Sequence, residues 1–453
     1  MAWSCLILVA PGPAVAELVY FTRGGQAQLP ARVRGDVVVL ETPDGPREFA
    51  RGDFRRIVPG FWPPAEWEAR RAGARAGTAD ERFAAAWWAL VNGLTPEAEA
   101  LLREAHAADP GHEPTTRLVA VLDRLGVPLP DPDLAPLDGL LPGESRVARG
   151  PHVLVLHQHD PAEADERVAV LEHVVTTFYL VLAAHGYDLP APTRRLASAW
   201  FAHQEDYRAV LRAEEGSDFR TTSGYYHPTR NLVLAWDARD RADATARRAG
   251  LLRRLEPLDR SGADPAAAAA RRDVERQLLL LDLDRRAIDL GTAAHEQVHQ
   301  LVAVTGLAPR PDAFPVWLHE GFAAQFEVVR GGRWAGVGRA HDRRLASWRA
   351  IQPAPRLVPL LRDVGLGHGY QPGRYAEAWA LVYYLRQQHP RQFVAFLDLL
   401  RAPDLDPAPR SERTLAAFRA AFGTDLAALE ASWLRYLAGL QTPLESERLG
   451  AED

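Results

Sequence analysis

The stretch Ala294-His295-Glu296-Gln297-Val298-His299-Gln300 decides how this chain is read. Its flanks, Ala287 to Leu290 before and Leu301 to Val304 after, are compatible with helix. On a helix, residues four apart share a face, so the His295 and His299 imidazoles can point at one centre. Two such imidazoles are half of a zinc site, with zinc–nitrogen bonds of about 2.0–2.1 Å. Glu296 stands one step round from His295, beside an ion there rather than on it. A general base for an activated water belongs at that position. With 15 histidines in the chain, the motif alone also arises by chance on an amphipathic helix, so other segments must decide.

The next segment is Pro315-Val316-Trp317-Leu318-His319-Glu320-Gly321-Phe322-Ala323, which reads as a second helix after a proline-marked turn. A catalytic zinc takes three protein ligands and keeps a fourth position open, and two His with one Glu is a known set. A second helix antiparallel to the first brings Glu320 to that metal. The macrodipole alone explains a Glu near a helix start, but not its company with the first motif. The expected metal ligands are therefore His295, His299 and Glu320, the ion is Zn2+, and the base is Glu296. His319 should face away from the metal.

These residues resemble those of the gluzincins, zinc peptidases whose paired-histidine helix is followed by a Glu ligand on the next helix. Trp317-Leu318-His319-Glu320-Gly321-Phe322-Ala323 is similar to a stretch of the membrane-alanyl-aminopeptidase-like branch. The arrangement resembles more closely an uncharacterised bacterial family of peptidase-MA-like proteins, known only as a domain of unknown function. The resemblance runs from about Pro151 to the end and is dense from Ala294 to Leu385. It implies a thermolysin-like α+β catalytic domain, a small mixed sheet plus a helical lobe, that hydrolyses peptide bonds. It further implies that Glu327 supports the metal-side helix by accepting hydrogen bonds, and that Tyr375 donates its hydroxyl to the oxyanion. Tyr383 and Tyr384 read as core. The branch's strand that anchors a free substrate amine is not found, so exopeptidase action is not implied. Metzincins are excluded, because Val302 and Thr305 stand where a Gly and a His are required. The Ser223 to Asn231 segment takes the missing strand's place in chain order. Tyr226, His227 and Asn231 are its candidate substrate contacts, and Asn231 to Trp236 is the expected edge strand for a substrate backbone.

Around this centre the chain is ordinary in composition. Of its 453 residues 47% are apolar and 25% charged, enough to bury a core without cross-links. A formal charge of −6 argues against nucleic acid as partner. All 53 basic residues are Arg, which with the abundant Ala and Pro reads as the drift of a GC-rich bacterial genome. The single cysteine, Cys5, excludes an intrachain disulfide and a cysteine-based metal site. No apolar run of transmembrane length is read.

Residues 1–16 are expected to be a weak secretory signal, with Ala14-Val15-Ala16 at the cleavage site and the periplasm or cell envelope as destination; a buried first strand is the alternative for the segment, and the cytoplasm for the location. Residues 17–60 read as a small β module, with Pro43-Asp44-Gly45 as a turn. Residues 65–125 read as one tetratricopeptide-like helical pair, with Thr95 as N-cap and Pro96 at the first position of its second helix, or equally as a helical spacer packed on the main domain. That pair is a candidate surface for a protein partner. Residues 126–150 read as a linker, and the peptidase-like domain spans 151–440. His157 and His159 end a strand and are a weaker candidate for a second metal site. A non-catalytic scaffold on the same fold is the alternative to a peptidase.

Overall fold

The computed structural model describes residues 15–216, 222–260, 264–364, 372–402, 408–442 and 445. Its first sheet contains β1 (Val15–Phe21), β2 (Gln26–Arg34), β3 (Val37–Thr42), β4 (Gly45–Ala50) and β5 (Phe54–Pro59). The order is β4-β3-β2-β1-β5, antiparallel throughout. Pro43 and Asp44 make the β3–β4 turn, and Gly45 takes the positive φ of 106° that a side chain resists. Alternation puts Val19, Phe21, Leu29, Val38, Leu40, Phe49 and Phe54 into one apolar layer. The expected signal lies mostly in residues 1–14, outside the described ones. Cleavage after Ala16 would remove two residues of β1, which pair with Ala31 and Pro30.

Four helices follow, where the sequence suggested one pair: α1 (Pro63–Arg75), α2 (Ala79–Val91), α3 (Thr95–Ala108) and α4 (Glu113–Leu125). The overlooked start signal is a capping box, in which Thr78 and Glu81 satisfy each other's backbone N–H. Thr95 is inside α3 and not its cap; its hydroxyl meets Thr177 at 3.2 Å.

The second sheet comes from β6 (Arg146–Arg149), β7 (Val153–His157), then after α5 (Pro161–Ala184) β8 (Leu196–Phe201), and after α6 (Gln204–Glu215) β9 (Gly224–His227) and β10 (Leu232–Trp236). The order is β6-β7-β8-β10-β9, parallel in the centre and antiparallel at both flanks. Part of the expected linker is thus β6. The expected edge strand is corrected too: β10 is internal and β9 forms the edge. Leu232–Trp236 is buried at every residue, as a strand flanked on both sides must be. Helix α5 is apolar and long enough to cross a membrane, yet 78% of its apolar window is buried inside the protein.

The remainder is the helical lobe of a mixed α+β fold. It runs through α7 (Ala242–Asp259), α8 (Pro265–Val304), α9 (Val316–Ala323), a hairpin of β11 (Val329–Arg330) and β12 (Arg333–Trp334), α10 (Asp342–Arg349), α11 (Leu357–Leu361), α12 (Pro372–Gln388), α13 (Pro390–Arg401), α14 (Arg410–Phe422) and α15 (Leu426–Gly439). Trp317, Trp379 and Trp433 are fully buried in it, and Trp317 stacks on Phe396 at 5.9 Å. Tyr383 and Tyr384 are buried there, as expected. The α9–α12 contact is close because residue 321 is Gly: a Cβ there would sit 2.4 Å from the Ala378 carbonyl oxygen.

Candidate metal centre

Helix α8 begins with the Asp264 carboxylate capping the Ala266 N–H at 3.0 Å and ends at Thr305, whose hydroxyl turns back to the Leu301 carbonyl. Near its C-terminal end it packs on β9 and β10. Gln300 fixes that contact by donating to the backbone oxygens of Ala197 (3.2 Å) and Asn231 (2.7 Å). Helix α9 is short and is held at its start from outside. The Asp363 carboxylate accepts the N–H groups of Val316 and Trp317, each at 3.0 Å, a tertiary substitute for an N-cap.

This arrangement brings His295, His299 and Glu320 together. His295 Nε2 lies 3.0 Å from His299 Nε2 and 3.1 Å from Glu320 Oε2, and the third side of the triangle is 3.6 Å. The three residues could hold a metal ion, and no other group of this kind occurs among the described residues. His295 is buried, while His299 and Glu320 keep slight exposure. Burial alone would raise the Glu320 carboxyl, but His299 and His295 outweigh it and hold Glu320 far below the usual range. Two imidazole nitrogens and a carboxylate oxygen converging on one point are a donor set that a cation can share.

Glu327 ends the turn after α9 and backs this triangle. One of its oxygens lies 2.6 Å from His295 Nδ1 and the other 3.1 Å from His341 Nε2. Arg344 grips both, from Nε at 2.9 Å and Nη2 at 2.6 Å. Burial pushes the Glu327 carboxyl up, but Arg344 and the two histidines overrule it and hold it well below its ordinary value. With Nδ1 facing Glu327, the Nε2 of His295 is the nitrogen turned to the triangle. The hydrogen bonds that Glu327 accepts come from Arg344, and it meets His295 as an ion-pair contact. His341 and Arg344 were not found from the sequence, since only the packing of α10 on α12 places them beside Glu327.

Glu296 is buried against β9. A Cβ on Gly224 would come within 2.7 Å of the Glu296 Cγ, so the strand passes this close only as Gly. Burial raises the Glu296 carboxyl, and the Tyr226 backbone N–H, donating to it, opposes the shift together with His295 and His299. Tyr375, the fourth residue of α12, lies under the Arg344 guanidinium, 5.7 Å from its ring centroid, and so joins Glu327 through one side chain.

The other candidates divide. The Tyr226 hydroxyl donates to Asn231 Oδ1 at 3.2 Å, and Asn231 takes a left-handed φ of 48° where β9 turns into β10. His227 is drawn to Glu214 at 3.4 Å and accepts the Arg230 N–H. His319 stands outside the triangle, its ring 6.2 Å from that of His299, and burial pushes its imidazole down to about 4. His159 faces Asp237 at 3.3 Å and Asp160 caps α5, so His157 and His159 gather no metal group.

A DUF1570 domain, a family described as protein of unknown function, is found at residues 289–404. That span holds the triangle, Glu296, Glu327, His341, Arg344 and Tyr375. No curated protein matches the chain.

Proposed function

We propose that the chain is a zinc-dependent metallopeptidase of gluzincin type, with a thermolysin-like catalytic arrangement and a peptide or protein as substrate. The observation that carries this is the triangle of two imidazole nitrogens and one carboxylate oxygen, with sides of 3.0, 3.1 and 3.6 Å. Tetrahedral bonds of about 2.0–2.1 Å set donor atoms about 3.3–3.4 Å apart, so the residues fit zinc.

Bound there, zinc supplies an acidic water and an electrophilic pull on a carbonyl oxygen. Glu296, its carboxyl raised by burial, takes the proton of the attacking water and delivers it to the leaving amine. The Tyr375 hydroxyl donates to the developing oxyanion. Strand β9 is the sheet edge beside Glu296, and an extended substrate adds to it as a further strand. The net charge of −6 disfavours nucleic acid as partner. Export to the periplasm or envelope through residues 1–16 belongs to the same reading, with α1–α4 as a surface for a protein partner.

The test is metal analysis of the full chain together with digestion of a broad peptide library read by mass spectrometry. Expected are one zinc per chain, cleavage by the wild type, and Glu296→Gln that keeps zinc but is slower by at least about 10²-fold. Zinc-loaded wild type no more active than Glu296→Gln would leave a binding scaffold as the function.

A further inference from the structure

Away from the metal centre, a cleft opens where the first sheet, the α2–α3 turn and the β11–β12 hairpin meet. Its wide part, about 360 Å³, is walled by Pro43, His173, Arg286 and Gly332, among others. It shares Trp62, Gly93, Arg333 and Trp334 with a narrow end of about 30 Å³, room for one small polar group. The acids of the wide part are engaged already: Glu166 with Arg286, and Glu41 with Arg32.

The narrow end carries Arg330, Arg333 and Arg339 and no carboxylate among its lining residues. Arg339 is half-buried, lies over the Phe61 ring at 5.1 Å, and makes no ion pair among the described residues. Burial and neighbouring Arg330 both push its guanidinium below the ordinary value. Arg333 lies over Trp62 at 5.9 Å, likewise with no ion pair among the described residues. Arg330 donates to the Ala340 carbonyl and comes no closer than 3.7 Å to Asp342. A guanidinium stays charged in a protein, so such a cluster accumulates repulsion that an anion would relieve.

Two further lining side chains are half-satisfied: the amide nitrogens of Gln28 and Asn92 donate to the Phe61 and Trp88 carbonyls, while their oxygens, on residues 6% and 4% exposed, accept no hydrogen bond among the described residues. A site with guanidinium donors, amide acceptors and flat aromatic walls asks for one ligand with a carboxylate, an adjacent N–H and an apolar body.

We propose that this cleft binds the C-terminal carboxylate of a peptide, with the carboxylate in the narrow end on Arg339 and Arg333, Gln28 and Asn92 facing the last amide N–H, and the terminal side chain in the wide part against Trp62 and Trp334. The site shares no residue with the metal triangle and stands whether or not the chain is a peptidase.

The probes are N-acetyl-phenylalanine, its carboxamide and phenyl phosphate, each titrated into the full chain and followed by calorimetry and thermal unfolding. N-acetyl-phenylalanine should bind and raise Tm by about 2 °C or more, while the carboxamide does neither. Arg339→Gln should weaken that binding at least about tenfold. Arg333→Gln, at an exposed position, should weaken it in the same sense. Equal binding of acid and carboxamide, or unchanged binding by both variants, would overturn the proposal. So would binding of phenyl phosphate alone, which would make the cleft a phosphate site.

Discussion

Replacing Glu327 by Gln would test the support behind the metal triangle without changing its shape. The wild-type carboxylate takes two hydrogen bonds from Arg344, at 2.9 and 2.6 Å, and faces His295 at 2.6 Å and His341 at 3.1 Å. Gln keeps one acceptor oxygen and turns an N–H₂ toward the other donors, so half the grip on Arg344 goes and the remaining contacts lose their charge. Breaking a buried pair costs about 3–5 kcal/mol. The amide still accepts one bond and the Arg344 side chain is 14% exposed, which places the loss at the lower end, about 3 kcal/mol. His295 loses what fixes its ring, and zinc affinity should fall about 10–100-fold, or about 1.4–2.7 kcal/mol. Denaturant unfolding of the metal-free chain reads the first quantity and competition with a chromophoric chelator reads the second. An unchanged zinc dissociation constant in Glu327→Gln would refute the claim that Glu327 orients His295, whatever happened to stability.

Gly321→Ala should cost at least about 1–3 kcal/mol in denaturant unfolding, because its Cβ would meet the Ala378 oxygen at 2.4 Å and Val382 Cγ2 at 2.6 Å, prying α9 from α12. Gly224→Ala forces Glu296 Cγ and Thr292 Cγ2 aside, from 2.7 and 2.8 Å; zinc content should hold while peptide cleavage falls, as a paired metal assay and digest would register. His152 touches Glu172 from Nδ1 at 2.6 Å and the Leu125 carbonyl from Nε2 at 2.7 Å, which requires both ring nitrogens protonated. Burial opposes that charge but the Glu172 contact overcomes it, so its pKa sits above the ordinary 6.5. Its stabilisation is full below that value and fades as pH rises through the raised one. The Tm gap between wild type and His152→Gln should accordingly be widest in mild acid and close toward alkaline pH.

What the sequence disclosed about the site was local. His295, Glu296 and His299 follow from helical spacing, and Glu320 from the second helical pattern, because ligand geometry and element periodicity reinforce each other there. Glu327 was named only through resemblance, and its partners His341 and Arg344 were missed: nothing near residues 341–344 announces a partner that three-dimensional packing supplies. Asp363 was missed for the same reason, since it caps a helix 47 residues upstream. The β9–β10 misreading had another cause. β10 is short and apolar, β9 is the four-residue Gly-Tyr-Tyr-His, and edge position is a property of the sheet rather than of the strand. In the helical segment the Thr78–Glu81 box was legible but overlooked, and the Thr95 hydroxyl faced α5 rather than its own helix.

Helix α8 is 40 residues long, a rod of roughly 60 Å. Its middle presses Leu279, Leu280 and Leu283 into the apolar face of the first sheet, while its far end presents the paired imidazoles. Gly25 lets that sheet sit against Leu280, where any Cβ would collide at 2.3 Å. The amino-terminal sheet is therefore no detachable ornament. A chain trimmed to begin at residue 61 would bare a leucine flank on the very girder that carries His295 and His299, and should aggregate.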